Sequence, residues 1–324
     1  MRFWITGFTL FCFALTPLAQ DADIEEGVKQ VEKILNRVEN CAFLYVVKKE
    51  TAKSGAAYKR LALHARGPIE CGEKMEGTLR VGETIQWLEP EKNPIDLSNE
   101  PGFGGGFGNQ TISQLTHNVA FYDGTKTYGW NDLSNGVQTE PTLNFYQLLT
   151  PPSIFSVMEQ RFFSPLQCFF DAYRKHNMLN EDIFDVKAYS TRIHLTITEG
   201  EEPNLMRSNY FIDREKGIER SSMKLAQNDS QDIVDEFQQI NGVWVPKKGR
   251  FINRLADETT TFEVLKAKVN DPSVTEALKP FDHKNPTWNE KKSNASLPLR
   301  DHPTYVDQFF GLTIQEAMQM FLEN

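Results

Sequence analysis

The chain has 324 residues, a net charge of −9 and 24% charged side chains. A balance this acidic excludes nucleic acid or an anionic membrane surface as the main partner, because both call for a basic patch. The length suits one large β domain or two ordinary ones.

Residues 1–20 read as a secretory signal peptide. Arg2 is a minimal positive start, Phe3 to Leu15 is apolar, and Thr16, Pro17 and Ala19 break the run before Asp21. The alternative, a short transmembrane anchor, needs a longer span. Cleavage is expected between Gln20 and Asp23, which places the mature protein in the periplasm or outside the cell. Export permits disulfides, and Cys41 and Cys71 each stand near a strand start, so a Cys41–Cys71 bridge is expected. The competing reading is buried thiols. Cys168 is expected to be packed in a helix.

Asp21 to Asn40 has the pattern of an amphipathic helix, with Ile24, Val28, Val31, Leu35 and Val38 at steps of four, three, four and three. Its single apolar stripe predicts docking on a sheet. Strands are predicted over Cys41–Lys48, Tyr58–Arg66, Met75–Val81 and Thr84–Leu88. In the second, Leu61 and Leu63 share one face, and Arg60, Ala62 and His64 the other. Residues 92–114 hold the tract Gly102-Phe103-Gly104-Gly105-Gly106-Phe107-Gly108. Its spacing does not match a dinucleotide fingerprint. It reads as a surface loop or as a flap whose tips are Phe103 and Phe107. His117 to Trp130 is a hairpin turning at Asp123-Gly124.

The pattern turns helical after Pro151-Pro152, with Ile154, Phe155, Met158 and Phe162, and again after Ser164-Pro165, with Leu166, Phe169, Phe170 and Tyr173 on one side. Ile183 to Val269 returns to strands separated by regular turns, an antiparallel meander. Residues 271–300 are polar and proline-bearing and read as an extended tail. A last short helix is announced by a capping box of Thr313 and Glu316, with Ile314, Ala317, Met318 and Phe321 as its apolar side.

Catalytic motifs are missing. There is no Gly-x-Ser-x-Gly, no phosphate-binding loop, no His-Glu-x-x-His and no Cys-x-x-Cys pair. The 6 histidines are scattered, none at metal-ligand spacing from another ligand type. His194 reads as an exposed strand residue. No catalytic residue, metal or cofactor is predicted. The 23 Phe, 9 Tyr and 5 Trp instead point to apolar contact. Phe155, Phe162, Phe169 and Phe170, with Phe103 and Phe107, are the candidate ligand-lining residues, or else they simply fill a core.

The order of elements, and the stretch Tyr210-Phe211-Ile212-Asp213, Lys216-Gly217-Ile218, Phe237 and Asn241-Gly242-Val243-Trp244-Val245-Pro246, resembles the periplasmic lipoprotein carrier and lipoprotein-receptor superfamily. The resemblance spans roughly Ile24 to Val269. It implies a mainly β protein with helices (α+β): an unclosed antiparallel β-barrel over 21–270, wrapped around the N-terminal helix and covered by lid helices, with 271–324 as an added tail. It also implies a cavity for a lipid or the acyl chain of a lipoprotein, and a role as carrier or sensor rather than enzyme. An envelope protein partner is compatible with the same fold. Carriers of this kind hold the lid with a basic residue, for which Arg80 and Arg161 are the candidates by region.

Overall fold

The computed structural model describes residues 20–21, 23–51, 57–70, 78–87, 115–122, 127–131, 166–201, 203, 205–225, 228–281 and 305–323. One antiparallel sheet organises them. Its strands are β1 (Gln20–Asp21), β2 (Cys41–Thr51), β3 (Ala57–Arg66), β4 (Arg80–Trp87), β5 (Leu115–Tyr122), β6 (Thr127–Asn131), β7 (Phe184–Ala188), β8 (Arg192–Glu199), β9 (Met206–Asp213), β10 (Gly217–Leu225), β11 (Asn228–Ile240), β12 (Val243–Asn253) and β13 (Glu258–Val269). The helices are α1 (Ile24–Leu35), α2 (Leu166–Lys175), α3 (Pro272–Leu278), α4 (Tyr305–Phe310) and α5 (Ile314–Glu323).

The sheet order is β1-β7-β8-β9-β10-β11-β12-β13-β2-β3-β4-β5-β6, so β1 and β6 are its two edges and it does not close. Almost every neighbour is a sequential hairpin. The exceptions are β1 on β7 and the central seam, where β13 pairs β2 from Glu258↔Thr51 to Val269↔Cys41. Local chemistry sets the turns. Asn241 and Gly242 both take positive φ (49° and 78°), as a two-residue hairpin turn requires. In the β10–β11 ladder Leu225 stands opposite Asn228, and Asn228–Ser230 are already strand. Likewise β4 runs unbroken through Gly82, where two separate strands were expected.

α1 is capped by Asp23, whose carboxylate accepts the N–H of Glu26 at 3.1 Å. Val28 and Val31 are fully buried, and Leu35 and Val38 nearly so. These residues share one core cluster with side chains from nine successive strands, β7 through β13 and then β2 and β3. Laid flat, nine strands span roughly 40 Å at about 4.8 Å each, against about 10 Å for a helix. One helix can meet all of them only if the sheet curls around it. The approach is tightest at Gly27, where a β-carbon would stand 2.5 Å from Val186 Cγ1.

The other face of β2–β4 is buried too. Ala42, Leu44, Val46, Leu61, Leu63, Ala65 and Val81 form a second cluster with Val274, Leu278, Tyr305, Val306, Phe309, Ala317 and Phe321 of α3, α4 and α5. The polar segment after Asn270 is therefore not simply extended. Asp271 caps α3 with Pro272 at its first turn, and α3 puts Val274 and Leu278 on the sheet. The capping box of α5 is formed: Thr313 N and Oγ1 donate to Glu316 Oε2 at 2.8 and 2.9 Å, and Glu316 N donates to Thr313 Oγ1 at 3.2 Å.

Candidate functional site

A cleft opens where α1 ends against the hairpins β9–β10 and β11–β12. Ile34, Leu35 and Val38 make one wall, and Ile218, Phe237, Val243, Trp244 and Pro246 the other. Its room for a water-sized group is about 20 Å³, on the scale of a single water molecule, so it is a shallow surface recess. The walls follow from register. Phe237 stands opposite Pro246 in the β11–β12 ladder, and Gln239 opposite Trp244.

The rim is polar and held by the β9–β10 turn. Asp213 Oδ1 accepts the N–H groups of Glu215 and Lys216, each at 2.8 Å, and Gly217 takes φ 95°. That turn aims Glu215 at Trp244, whose indole N–H donates to Glu215 Oε1 at 3.1 Å. It brings the Lys216 ammonium to 5.9 Å from the Phe237 ring and 5.7 Å from the Trp244 ring. Arg37, just past α1, donates to the Glu215 carbonyl at 2.8 Å. The result is an apolar recess with two cations and one carboxylate at its mouth.

Along α1, from its first turn to its last, α2 is clamped by one arginine and a ring cluster. Phe170 is fully buried, with its ring 6.1 Å from Phe184, and Tyr173 meets Phe184 edge-on at 5.1 Å. Arg174 forks onto Glu32 at 2.7 and 2.9 Å and reaches Glu25 at 3.2 and 3.3 Å. The Glu32 carboxylate, against the opposing effect of burial, raises the guanidinium pKa further above its already high ordinary value. The ion pairs and the rings together fix α2 on α1.

Of the residues singled out in sequence, Phe170 is in the core and Cys41 is buried at the start of β2. Phe169 lies on α2, and its side chain is outside the described residues, as are Phe103, Phe107, Phe155, Phe162, Cys71 and Arg161. Arg80 is buried at the start of β4, on the inner face. His194 is half-buried and stacks on Phe211 at 4.5 Å, so its reading as an exposed residue is corrected. Burial there lowers its pKa below the usual histidine value. Sequence reasoning missed Arg174 and the recess residues as a group. The Gly-Val-Trp-Val-Pro run was visible, but its pairing with the end of α1 was not.

No family model matches the chain, and no curated protein matches it. Several solved structures are similar to it at low identity, three of them as follows. One is a DUF1329 family protein from Desulfovibrio piger, with 10% identity and TM-score 0.43, covering 76% of this chain and 93% of that one. The second is a domain described as an outer membrane lipoprotein-sorting protein from Vibrio parahaemolyticus, with 9% identity and TM-score 0.40, covering 78% and 98%. The third is a LolA superfamily protein from Nitrosomonas europaea, with 9% identity and TM-score 0.39, covering 77% and 94%. The chain's own strand order is that of an open antiparallel sheet curled around its N-terminal helix.

Proposed function

We propose that this is an exported protein that binds an apolar molecule, a lipid or an acyl chain, inside its open barrel and works as a carrier or sensor. What supports the reading is an open antiparallel sheet around an apolar interior, with a shallow, mainly apolar recess at the end of α1. Burying a chain there contributes about 0.8 kcal/mol per methylene, so binding needs no catalysis. α2, held to α1 by Arg174 and by Phe170 and Tyr173 on Phe184, is the proposed cover of the apolar interior. In this reading the phenylalanines at 155, 162, 169 and 170, and those at 103 and 107, extend the same apolar lining.

Native mass spectrometry of the protein purified from its own envelope tests this. Bound lipid supports it. A fluorescent fatty acid should also bind in the micromolar range or tighter, and Ile218→Trp, which fills the recess, should weaken binding at least tenfold. A ligand-free spectrum with no probe binding refutes the carrier reading.

A second reading is favoured by the complete burial of Val28, Val31 and Phe170. With the barrel filled by its own helices, the protein is an envelope interaction module, and a protein partner replaces the lipid.

A further inference from the structure

The outer wall of the sheet pairs off most of its cations between β7 and β12. Lys187 meets Asp185 at 3.2 Å, Arg192 meets Glu219 at 3.1 Å, Arg250 meets Asp235 at 3.2 Å and Arg254 meets Asp229 at 3.8 Å. The β9–β10 hairpin departs from this. Ser208 and Ile212 of β9 are buried, as is Ser221 of β10, which stands opposite Tyr210. Alternation therefore turns Arg207, Asn209 and Phe211, and Arg220, Ser222 and Lys224, to the outer face. Arg207, Arg220 and Lys224 are exposed. Among the described residues, no carboxylate pairs with any of them.

Arg207 and Lys224 stand directly opposite each other in the ladder, and like charges in that relation weaken a sheet. The nearby acids are engaged elsewhere. Asp229, opposite Lys224 on β11, lies against Arg254, and Glu219, next to Arg220 in sequence, is taken by Arg192. Arg220 sits 5.8 Å from the Phe211 ring, which in turn stacks on His194 at 4.5 Å. A guanidinium held by a ring keeps its N–H edges for an oxyanion. Between the two cationic ends lies a neutral row: Thr196 donates to Asn209 Oδ1 at 3.1 Å, and Asn209 donates to Ser222 Oγ at 3.4 Å. In a chain of net charge −9, this face is a local reversal of sign.

We infer that the outer face of β9–β10 docks an extended acidic segment of a partner protein. The inference stands apart from the apolar-ligand reading, because it uses the outside of the sheet. Spacing sets the form of the segment. Arg207 and Lys224 each lie four residues from the Phe211–Arg220 pair, which is about 13 Å at about 3.4 Å per residue. An extended chain advances the same distance in the same number of residues. Carboxylates at i and i+4 therefore reach both ends, and the residues between them cross Asn209 and Ser222. Neither β9 nor β10 is an edge, so side chains make the contact and no strand is added. A chain also suits the shape. The sheet curls around α1, so its outside is convex; a flat lipid surface meets such a wall along a line, whereas a flexible segment follows it. Exposed cations act through steering and partner choice, so the contact weakens with salt.

The test is fluorescence anisotropy of labelled peptides on the whole mature protein at low salt. Asp-Asp-Gly-Ser-Asp-Asp should bind about fivefold or more tightly than Asn-Asn-Gly-Ser-Asn-Asn, and the difference should shrink at physiological salt. Arg207→Glu combined with Lys224→Glu should abolish the preference. Lys248→Gln, at a cation already paired with Glu263, should leave it intact. Arg220→Gln should weaken binding of the long peptide and leave Asp-Asp alone, which reaches one end only, unchanged. All these side chains are on the outer wall, so melting temperatures should stay at the wild-type value and a loss of binding reports the contact itself. Equal binding of acidic and neutral peptides overturns the inference, as does a preference that survives the double variant. Sedimentation with phosphatidylglycerol vesicles that needs Arg207 and Lys224, without any peptide preference, assigns the face to a membrane surface and overturns it too. None of these outcomes bears on whether a lipid binds inside.

Discussion

Glu83 and Tyr305 are joined across the outer face of the sheet: Glu83 Oε2 accepts the main-chain N–H of Tyr305 at 3.0 Å and that of Val306 at 3.2 Å. The carboxylate is 1% exposed. It sits among apolar side chains, so these two donors at the start of α4 satisfy a group that burial alone disfavours. One residue of β4 therefore fixes where the C-terminal helices land.

Replacing it is expected to loosen that whole layer. Glu83→Ala should cost roughly 1–3 kcal/mol, the scale for orphaning buried hydrogen-bonding groups, seen in urea unfolding. It should also speed amide exchange in α4 and α5 while α1 keeps its protection. Unchanged exchange in α4 would show that the cap does not hold the layer.

Val31 is the sharpest probe of α1. It is fully buried against the curled sheet, so Val31→Asp places an unpaired charge in the core. The expected loss is about 3–5 kcal/mol, read from the denaturant midpoint. A midpoint within error of wild type would mean that α1 is not inside the sheet.

Arg174 is expected to act on α2 alone. Arg174→Met removes the fork to Glu32 and the contacts to Glu25 but leaves Phe170 in place. Charge-assisted bonds of this kind contribute roughly 1.5–3 kcal/mol, and solvent screening at the half-exposed Glu25 places the effect at the low end. Amide exchange across 166–175 should accelerate, and any bound lipid should leave faster.

Stability should fall in alkali through Tyr210. Burial first, and then the Asp232 carboxylate, push its phenol up to about 12. The unfolded chain loses this proton near pH 10 and the folded protein only near 12. The contribution is complete below pH 10 and is lost as pH rises towards 12. Melting temperatures at pH 9 and pH 11.5 should differ less in Tyr210→Phe than in wild type.

Two expectations concern processing. Sequencing of the secreted protein should find a first residue between Gln20 and Asp23. Unreduced mature protein in denaturant should titrate one thiol, from Cys168, if Cys41 and Cys71 are bridged. Three thiols would dismiss the bridge.

Much of the fold was legible because its signals are local. The stripe from Ile24 to Val38, the Asn241-Gly242 turn and the Thr313–Glu316 box each report on a handful of neighbouring residues. Ile34 was missed as a core residue because it lies beside the stripe, yet the curled sheet reaches round far enough to bury it. The tail was misread for a related reason. Its apolar residues are sparse, and they become a face only once α3, α4 and α5 are laid together on β2–β4. The inner arginines looked like an ordinary polar side of β3, since alternation separates two faces without saying that both are buried. The recess depends on pairing the end of α1 with residues about 200 positions later, which no window of sequence contains.

The β2–β13 seam has a consequence for how the molecule comes into being. The strand that opens the N-terminal half finds its partner only in residues 258–269, so the two halves cannot be zipped together until nearly the whole chain is available. Contacts this distant make for slow assembly, and a nascent chain leaves β2 with one bare edge and no neighbour to cover it. Under the export proposed above, that delay is useful: a chain still lacking its last long strand stays unfolded and threadable, and folding follows once residues 258–269 have crossed.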